Sequence, residues 1–108
     1  MVISYFGSST GAAAALKASL KLPKEIKSIV SRGGRPDLVI SDLPKVVAPT
    51  LLIVGELDDE VVKLNKKAYD SLGGIKKMEI ISGATHLFEE PGKLEEVSKL
   101  AAEWFIKN

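Results

Sequence analysis

The feature that most limits the fold of this chain is an unbroken apolar run, Thr-Leu-Leu-Ile-Val-Gly, at Thr50–Gly55. A strand with one face in water alternates apolar and polar side chains, and this run does not alternate. It is therefore predicted to be a strand covered on both faces. Strands of that kind occur in parallel sheets, because the crossover connections place helices on both sides.

The rest of the chain alternates strands with helices, which predicts βαβ units and an α/β sheet in a single domain spanning residues 1–108. Further strands are predicted at residues 1–6, 26–31 and 78–81, and a helix at residues 11–22 before Pro23. Residues 35–49 hold three prolines and are expected to have little regular structure. Two more helices are predicted from their apolar faces: Val61, Leu64, Ala68 and Leu72, with Gly73 as C-cap, and then Leu94, Val97, Leu100, Ala101, Trp104 and Phe105.

Composition excludes several classes of function. The net charge of +1 gives no electrostatic basis for binding nucleic acid or an anionic membrane. The chain has no cysteine and a single histidine, so thiolate chemistry and a His-rich metal site are excluded. No apolar run approaches the roughly 20 residues that span a bilayer, and no basic segment typical of a signal peptide opens the chain. We expect a cytoplasmic protein without a metal or another cofactor.

The loop after the first predicted strand, Gly-Ser-Ser-Thr-Gly at residues 7–11, fits the G-x-S-x-G pattern of a nucleophile elbow. The central serine, Ser9, would sit on a strained turn, and we expect Gly7 and Gly11 to be glycines because their positions must be small. The following helix N-terminus favours negative charge, such as a developing oxyanion. A turn that binds phosphate is the other interpretation, but the chain has neither G-x-G-x-x-G nor G-K-[ST].

An acid and a base follow Ser9 in the order that a G-x-S-x-G hydrolase requires. Asp58 and Asp59 come after the strand at Thr50–Gly55, and His86, the only histidine, comes after the strand at 78–81. The carboxyl ends of parallel strands share one edge, so these side chains are expected near Ser9. A histidine there could take the serine proton while a carboxylate fixes its tautomer. Taken singly, a solvated loop histidine and a helix N-cap are equally ordinary interpretations.

Four segments resemble the C-terminal half of dienelactone-hydrolase-like serine α/β-hydrolases, in family order over nearly the whole chain. They are residues 5–15 (Tyr-Phe-Gly-Ser-Ser-Thr-Gly-Ala-Ala-Ala-Ala), 30–38 (Val-Ser-Arg-Gly-Gly-Arg-Pro-Asp-Leu), 48–55 (Ala-Pro-Thr-Leu-Leu-Ile-Val-Gly) and 83–90 (Gly-Ala-Thr-His-Leu-Phe-Glu-Glu). The resemblance implies half of an α/β-hydrolase fold, with roughly four parallel strands and flanking helices. It also implies an esterase-type enzyme that acts on small ester or acyl substrates.

The same resemblance implies a role for each site residue. Ser9 would be the nucleophile, His86 the base, and Asp58 the acid, since the acid commonly lies three residues after the glycine that ends its strand; Asp59 is the alternative. The N–H group of Thr10 would be one oxyanion-hole donor. Dienelactone hydrolase itself uses cysteine at the elbow, so its own substrate is not implied.

Family members carry further strands before the elbow strand, and a loop among them supplies the second oxyanion donor. Losing one such donor costs on the order of 10²–10³ in rate, so the alternative function is an inactive remnant that serves as a dimerisation or interaction module. The strand at residues 1–6 would leave an apolar edge bare, and such edges pair. We expect a homodimer through that edge, its sheet completed by the partner chain. A separate chain supplying the first half, or a Met1 that is not the true start, are alternatives.

The two arginines, Arg32 and Arg35, both follow the second predicted strand. Arginine contacts carboxylates and phosphates through two parallel hydrogen bonds. One hypothesis is that this pair recognises an anionic group of the substrate. The other is a surface turn in which Arg35 pairs with Asp37. Glu89 and Glu90 are expected to be solvated residues leading into the last helix.

Overall fold

The computed structural model describes residues 3–108, which form a four-stranded parallel sheet in the order β1-β2-β3-β4. The strands are β1 (Ile3–Ser8), β2 (Ile26–Arg32), β3 (Thr50–Gly55) and β4 (Lys76–Ile81). The helices are α1 (Thr10–Ser19), α2 (Asp59–Ser71) and α3 (Lys93–Lys107), with a 3-10 segment at Pro36–Lys45. The predicted α/β class is confirmed.

Strand β3 has the place that its apolar run predicts. It pairs with β2 on one side and β4 on the other, and every residue of it is buried. Its side chains alternate between two apolar clusters on opposite faces of the sheet, because successive residues of a strand point to opposite sides. Leu52 packs towards α1, α2 and the 3-10 segment, and Leu51 and Ile53 pack towards α3.

Strand β1 and helix α1 are shifted relative to the prediction. Met1 and Val2 lie outside the described residues, and β1 continues to Ser8, two residues beyond the predicted end. Helix α1 ends at Ser19, three residues early. The Ser19 hydroxyl donates a hydrogen bond to the Leu16 carbonyl at 2.6 Å, and serine hydroxyls that bond to the preceding turn compete with continuation of a helix.

The expectation that residues 35–49 would lack regular structure was wrong. Two short helical turns, joined at Val39, form the 3-10 segment, and Pro36 stands in its first turn. Proline fits there because its φ is already helical and its missing N–H would have no partner. Leu43 is fully buried and packs with Val46 in the α1–α2 cluster. The segment therefore forms a layer of the core, although its prolines suggested a loop.

The predicted C-cap role of Gly73 was also wrong. Helix α2 ends at Ser71, its C-cap residue is Leu72 in an extended conformation, and Gly73 has no positive φ. Instead the Gly73 N–H donates to the Leu43 carbonyl at 3.3 Å, and a Cβ at Gly73 would collide with the backbone of Pro44. This glycine allows the end of α2 to approach the 3-10 segment closely.

The buried face of α2 differs from its predicted face by one residue. Ala68 and Leu72 are buried as expected, but Leu64 is only half-buried and the fully buried residue is Asn65. The spacing from Val61 to Asn65, Ala68 and Leu72 is the helical one. An asparagine therefore occupies a core position. On α3, Val97, Ala101 and Trp104 are buried as predicted, whereas Leu94 is exposed.

Candidate active site

The candidate site lies where the four parallel strands end. Ser9 follows β1, Asp58 follows β3 and His86 follows β4. Neighbouring strands are about 4.8 Å apart, so β1 and β4 are separated by roughly 14 Å. The segment between β4 and α3, residues 82–92, must therefore reach back across the sheet edge to bring His86 to Ser9. We refer to this segment as the His86 loop.

Ser9 stands on a strained turn between β1 and α1. Its φ of 49° and ψ of −126° lie outside the regions that L-residues ordinarily occupy, and such a conformation costs on the order of 1–3 kcal/mol. The turn is held from both sides, because the Ser9 carbonyl accepts hydrogen bonds from Ala12 N–H at 3.3 Å and Arg35 N–H at 3.0 Å. This is the backbone geometry of a nucleophile elbow.

The two glycines of the elbow motif have different roles. A Cβ at Gly7 would lie 2.7 Å from the Cα and 2.8 Å from the N of Ala12, so the close passage of α1 over β1 requires glycine there. A Cβ at Gly11 would have no atom within 4 Å. The expectation that Gly11 must be small was therefore wrong, because Gly11 lies on the exposed side of the first turn of α1.

Ser9, His86 and Asp58 form a chain of two hydrogen bonds. Ser9 Oγ lies 3.1 Å from His86 Nε2, and His86 Nδ1 lies 2.7 Å from Asp58 Oδ2. An ionised carboxylate only accepts hydrogen bonds, so the Nδ1–H of the neutral imidazole donates to Asp58 and leaves Nε2 to accept from the Ser9 hydroxyl. His86 is half-exposed and Asp58 is mostly covered, with side-chain exposures of 41% and 17%.

Of the two candidate acids, the contact with His86 belongs to Asp58. Asp58 stands at the N-cap position of α2 but makes no capping hydrogen bond with its side chain. Asp59, in the first turn of α2, is exposed. The helix cap that was considered for this pair is therefore not made by Asp58, whose carboxylate bonds to the histidine instead.

Gly33 makes room for the His86 loop. Its φ is +53°, and a Cβ on it would lie 3.3 Å from His86 Nδ1 and 3.3 Å from the His86 carbonyl oxygen. Contacts that close are tight, and the positive φ strains any side chain, so glycine is favoured at this point of the turn after β2. The sequence identified Gly33 only as the end of a strand.

Two carboxylates that sequence analysis did not assign hold the His86 loop. Glu90 accepts from both the N–H and the hydroxyl of Thr85, at 3.0 and 2.6 Å, and Glu56 accepts from Gly83 N–H at 3.0 Å. The hydrogen bonds from Thr85 hold the pKa of Glu90 below its usual value. No local motif indicates either contact; the only signal is the presence of acids near the ends of β3 and β4.

The two arginines are in different surroundings. Arg35 is bound by Asp37 through two hydrogen bonds, Nε to Oδ1 at 3.0 Å and Nη2 to Oδ2 at 2.9 Å, as the surface-turn hypothesis predicts. The hydrogen bond lowers the pKa of Asp37 and raises that of Arg35. Arg32 has no carboxylate partner among residues 3–108, and its guanidinium carbon lies 6.0 Å from the centre of the Phe88 ring.

Thr10 is the first residue of α1, so its N–H is one of the helix's free N-terminal donors and adjoins Ser9.

A shallow cleft of about 100 Å³ lies elsewhere, lined by Leu51, Lys77, Glu79, Leu100, Glu103, Trp104 and Lys107. Across the part of the chain that the structure describes, no cluster of side chains fits a metal ion. Within that part, no helix is both long and apolar enough to cross a membrane.

The sheet has four parallel strands, and the loops that follow them carry a strained serine turn, an acid and a histidine. This arrangement corresponds to about half of an α/β-hydrolase fold. The chain superposes on dienelactone hydrolase from Anabaena variabilis with a TM-score of 0.96 and 51% identity, covering 99% of this chain and 50% of that one. The resemblance to the C-terminal half of dienelactone-hydrolase-like α/β-hydrolases is confirmed.

Other comparisons agree on the fold. A monoacylglycerol lipase from Paleococcus ferrophilus superposes with a TM-score of 0.84 at 16% identity, covering 98% of this chain and 68% of the lipase.

A Mycobacterium tuberculosis protein, provisionally named a phosphoribosyl transferase, is 54% identical over 104 residues, which are 96% of this chain and 24% of that protein. The chain thus spans about a quarter of this relative. A scan against protein-family models finds no match.

Proposed function

We propose that this chain carries the catalytic residues of a serine hydrolase that acts on small ester or acyl substrates. The observation that supports this best is the hydrogen-bonded chain from Ser9 through His86 to Asp58, which starts on a strained elbow. The hydrolase fold of the structural relatives supports the same reaction class.

In the proposed reaction, Ser9 Oγ attacks the carbonyl carbon of the substrate while His86 Nε2 takes the hydroxyl proton. Thr10 N–H stabilises the oxyanion of the tetrahedral intermediate, and Asp58 stabilises the imidazolium. The intermediate expels the leaving group, which receives the proton from His86. Water then attacks the acyl-serine with His86 as base, releasing the acid and restoring Ser9.

The side chains around these residues bear on the substrate class. Leu57 and Leu87, next to Asp58 and His86, are both 57% exposed and offer apolar contacts. Arg32 is the arginine without a carboxylate partner in residues 3–108, so we assign anion recognition to it, with Arg35 held by Asp37. Arg32→Ala should then slow hydrolysis of anionic esters more than that of neutral ones, and Arg35→Ala should change both equally.

The test of the proposed activity is labelling of Ser9 by a fluorophosphonate, located by mass spectrometry. These reagents react with a serine that a neighbouring base activates. We expect labelling at Ser9, abolished in His86→Ala. Asp58→Asn should slow it by about 10³-fold or more, since loss of the triad acid costs on the order of 10⁴, whereas the matched variant Asp59→Asn should react at the wild-type rate.

Absence of labelling, under conditions that modify a control hydrolase, would contradict the proposed activity and favour the interaction module.

The name of the mycobacterial relative suggests a further activity, phosphoribosyl transfer. The hydrogen-bonded Ser9, His86 and Asp58 suit acyl transfer, so we assign hydrolysis to the region that this chain shares with that relative.

We further propose that a second copy of the chain pairs with β1 in antiparallel orientation and completes the sheet. β1 pairs only with β2 among the described residues, carries no charged side chain, and leaves Phe6 50% exposed. Light scattering at micromolar concentration should give twice the chain mass, and Phe6→Lys should give a monomer. A monomeric wild-type mass would instead favour completion of the sheet by a different polypeptide.

A further inference from the structure

Asn65 is a fully buried polar residue in the middle of α2, and core packing does not explain it. Its Nδ2 donates to the Gly34 carbonyl at 3.0 Å and to the Val61 carbonyl at 2.9 Å, while its Oδ1 has no partner in the described residues. Both partners are acceptors, so only the NH₂ end of the amide can face them. An apolar residue of similar size would leave no unsatisfied oxygen in the core. The amide is therefore explained by the groups that it binds.

What Asn65 holds is the turn at residues 33–35, which lies against two residues of the proposed site, the backbone of Ser9 and the ring of His86. Arg35 N–H donates to the Ser9 carbonyl at 3.0 Å, on the strained residue itself. Gly33 lies against the His86 ring, because a Cβ built on Gly33 would be 3.3 Å from His86 Nδ1. The turn therefore contacts the elbow on one side and the histidine on the other.

The turn is also held by contacts of its backbone. Gly33 N–H donates to the Ile53 carbonyl at 2.7 Å, and a Cβ on Gly34 would collide with Ser31 Oγ and Ala12 Cβ. Gly34 thus sits tightly between β2 and α1, and neither Gly33 nor Gly34 has a side chain of its own that could bond to a neighbouring element. Asn65 on α2 supplies a side-chain hydrogen bond to the Gly34 carbonyl, and Arg35 N–H, in the same peptide group, donates to the Ser9 carbonyl.

We propose that Asn65 is a positioning residue that, by binding the Gly34 carbonyl, aims Arg35 N–H at the Ser9 carbonyl and Gly33 at His86. This role rests on the proposed hydrolase function, because positioning matters only where Ser9 reacts. Asn65 touches neither reacting atom; it acts through the turn at residues 33–35.

The first test needs no reactivity. Amide hydrogen exchange, followed by NMR, should show Arg35 N–H protected in the wild-type chain, and the Asn65 side-chain NH₂ protected with it. In Asn65→Leu, protection of Arg35 N–H should fall at least tenfold while the β3 amides stay protected. Unchanged protection of Arg35 in this variant, or rapid exchange of the Asn65 NH₂ in the wild-type chain, would overturn the role even if the variant folds poorly.

The second test measures the maximal rate of fluorophosphonate labelling at saturating reagent, well below the melting temperature. Asn65→Leu should lower this rate about tenfold with the half-saturating concentration unchanged. Leu72→Ala, which removes a buried side chain at the C-cap of the same helix, away from the turn, should lower the melting temperature and leave the rate unchanged. An equal loss of rate in both variants, or none in Asn65→Leu, would overturn the role, whereas an unlabelled wild-type chain would instead defeat the proposed function.

Discussion

The elbow at Ser9 and the His86 loop bring their side chains together by different means. Backbone strain and close packing hold the elbow, since Ser9 has a φ of 49° and Gly7 lies against Ala12. The carboxylates of Glu56 and Glu90 hold the loop by accepting hydrogen bonds from Gly83 and Thr85. The position of the serine therefore depends on a local backbone path, and that of the histidine on side-chain contacts, of which the one with Glu56 comes from a segment distant in sequence.

This difference should determine how each region responds to mutation. An atom added at Gly7 should destabilise the elbow, whereas an atom added at Gly11 should not. The loop should lose function gradually, because each carboxylate supplies only one or two of its contacts. The variants below test that contrast, starting with the largest expected effect.

Gly7→Ala should destabilise the fold by about 3 kcal/mol, because the new Cβ would overlap backbone atoms of Ala12 that cannot rotate away. Denaturant unfolding measures the loss. The matched variant Gly11→Ala, also within the motif, should stabilise by roughly 0.5–1 kcal/mol, because it replaces glycine in a helix where a Cβ meets nothing. Similar losses in both variants would mean that the two positions are equally tight.

Ser9→Gly should raise stability by about 1 kcal/mol while abolishing fluorophosphonate labelling, because glycine accepts the strained φ of Ser9 and part of the gain is offset by its unfolded-state entropy. Ser8→Gly is the control, since Ser8 lies within β1 and glycine weakens a strand. A destabilised Ser9→Gly would show that the elbow stores no strain.

Glu90→Gln should slow labelling of Ser9 by roughly two- to five-fold, because a neutral amide replaces two charge-assisted hydrogen bonds from Thr85 with weaker neutral ones. The pKa of Glu90 is lowered on folding, so its contribution to stability is present above the usual value of 4.5 and is lost as pH falls through the lowered pKa. The stability difference between wild type and variant should therefore vanish in acid. Glu89→Gln is the matched control and should match the wild type throughout.

Much of the fold and of the candidate site could be predicted because the signals were local. The unbroken apolar run of β3 reflects burial on both faces, and the elbow motif reflects one tight turn. The order of Ser9, Asp58 and His86, each after a parallel strand, was enough to expect them at one edge. The 3-10 segment was missed because its prolines stand where a helical turn tolerates them.

Two of the residues that sequence analysis missed, Asn65 and Gly33, act through contacts between distant segments. Asn65 was passed over in favour of Leu64, because an apolar side chain was expected at the core position of α2. Gly33 resembled an ordinary strand end, and Glu90 a solvated residue. The partners of Asn65 and Gly33 lie on other segments, and Glu90 binds Thr85 within the irregular His86 loop, so no helix or strand spacing indicates these contacts.

The sequence by itself determined the α/β class, the strand order along the chain and the candidate residues Ser9, Asp58 and His86, because periodicity and turn chemistry are properties of short segments. Only the tertiary structure decided that Asp58 and not Asp59 contacts His86, that Arg35 pairs with Asp37, and that a buried amide on α2 supports the turn beneath the site. These choices depend on distances of a few ångströms, and for Asp58 and Asn65 those distances join separate segments that meet only once the strands have packed.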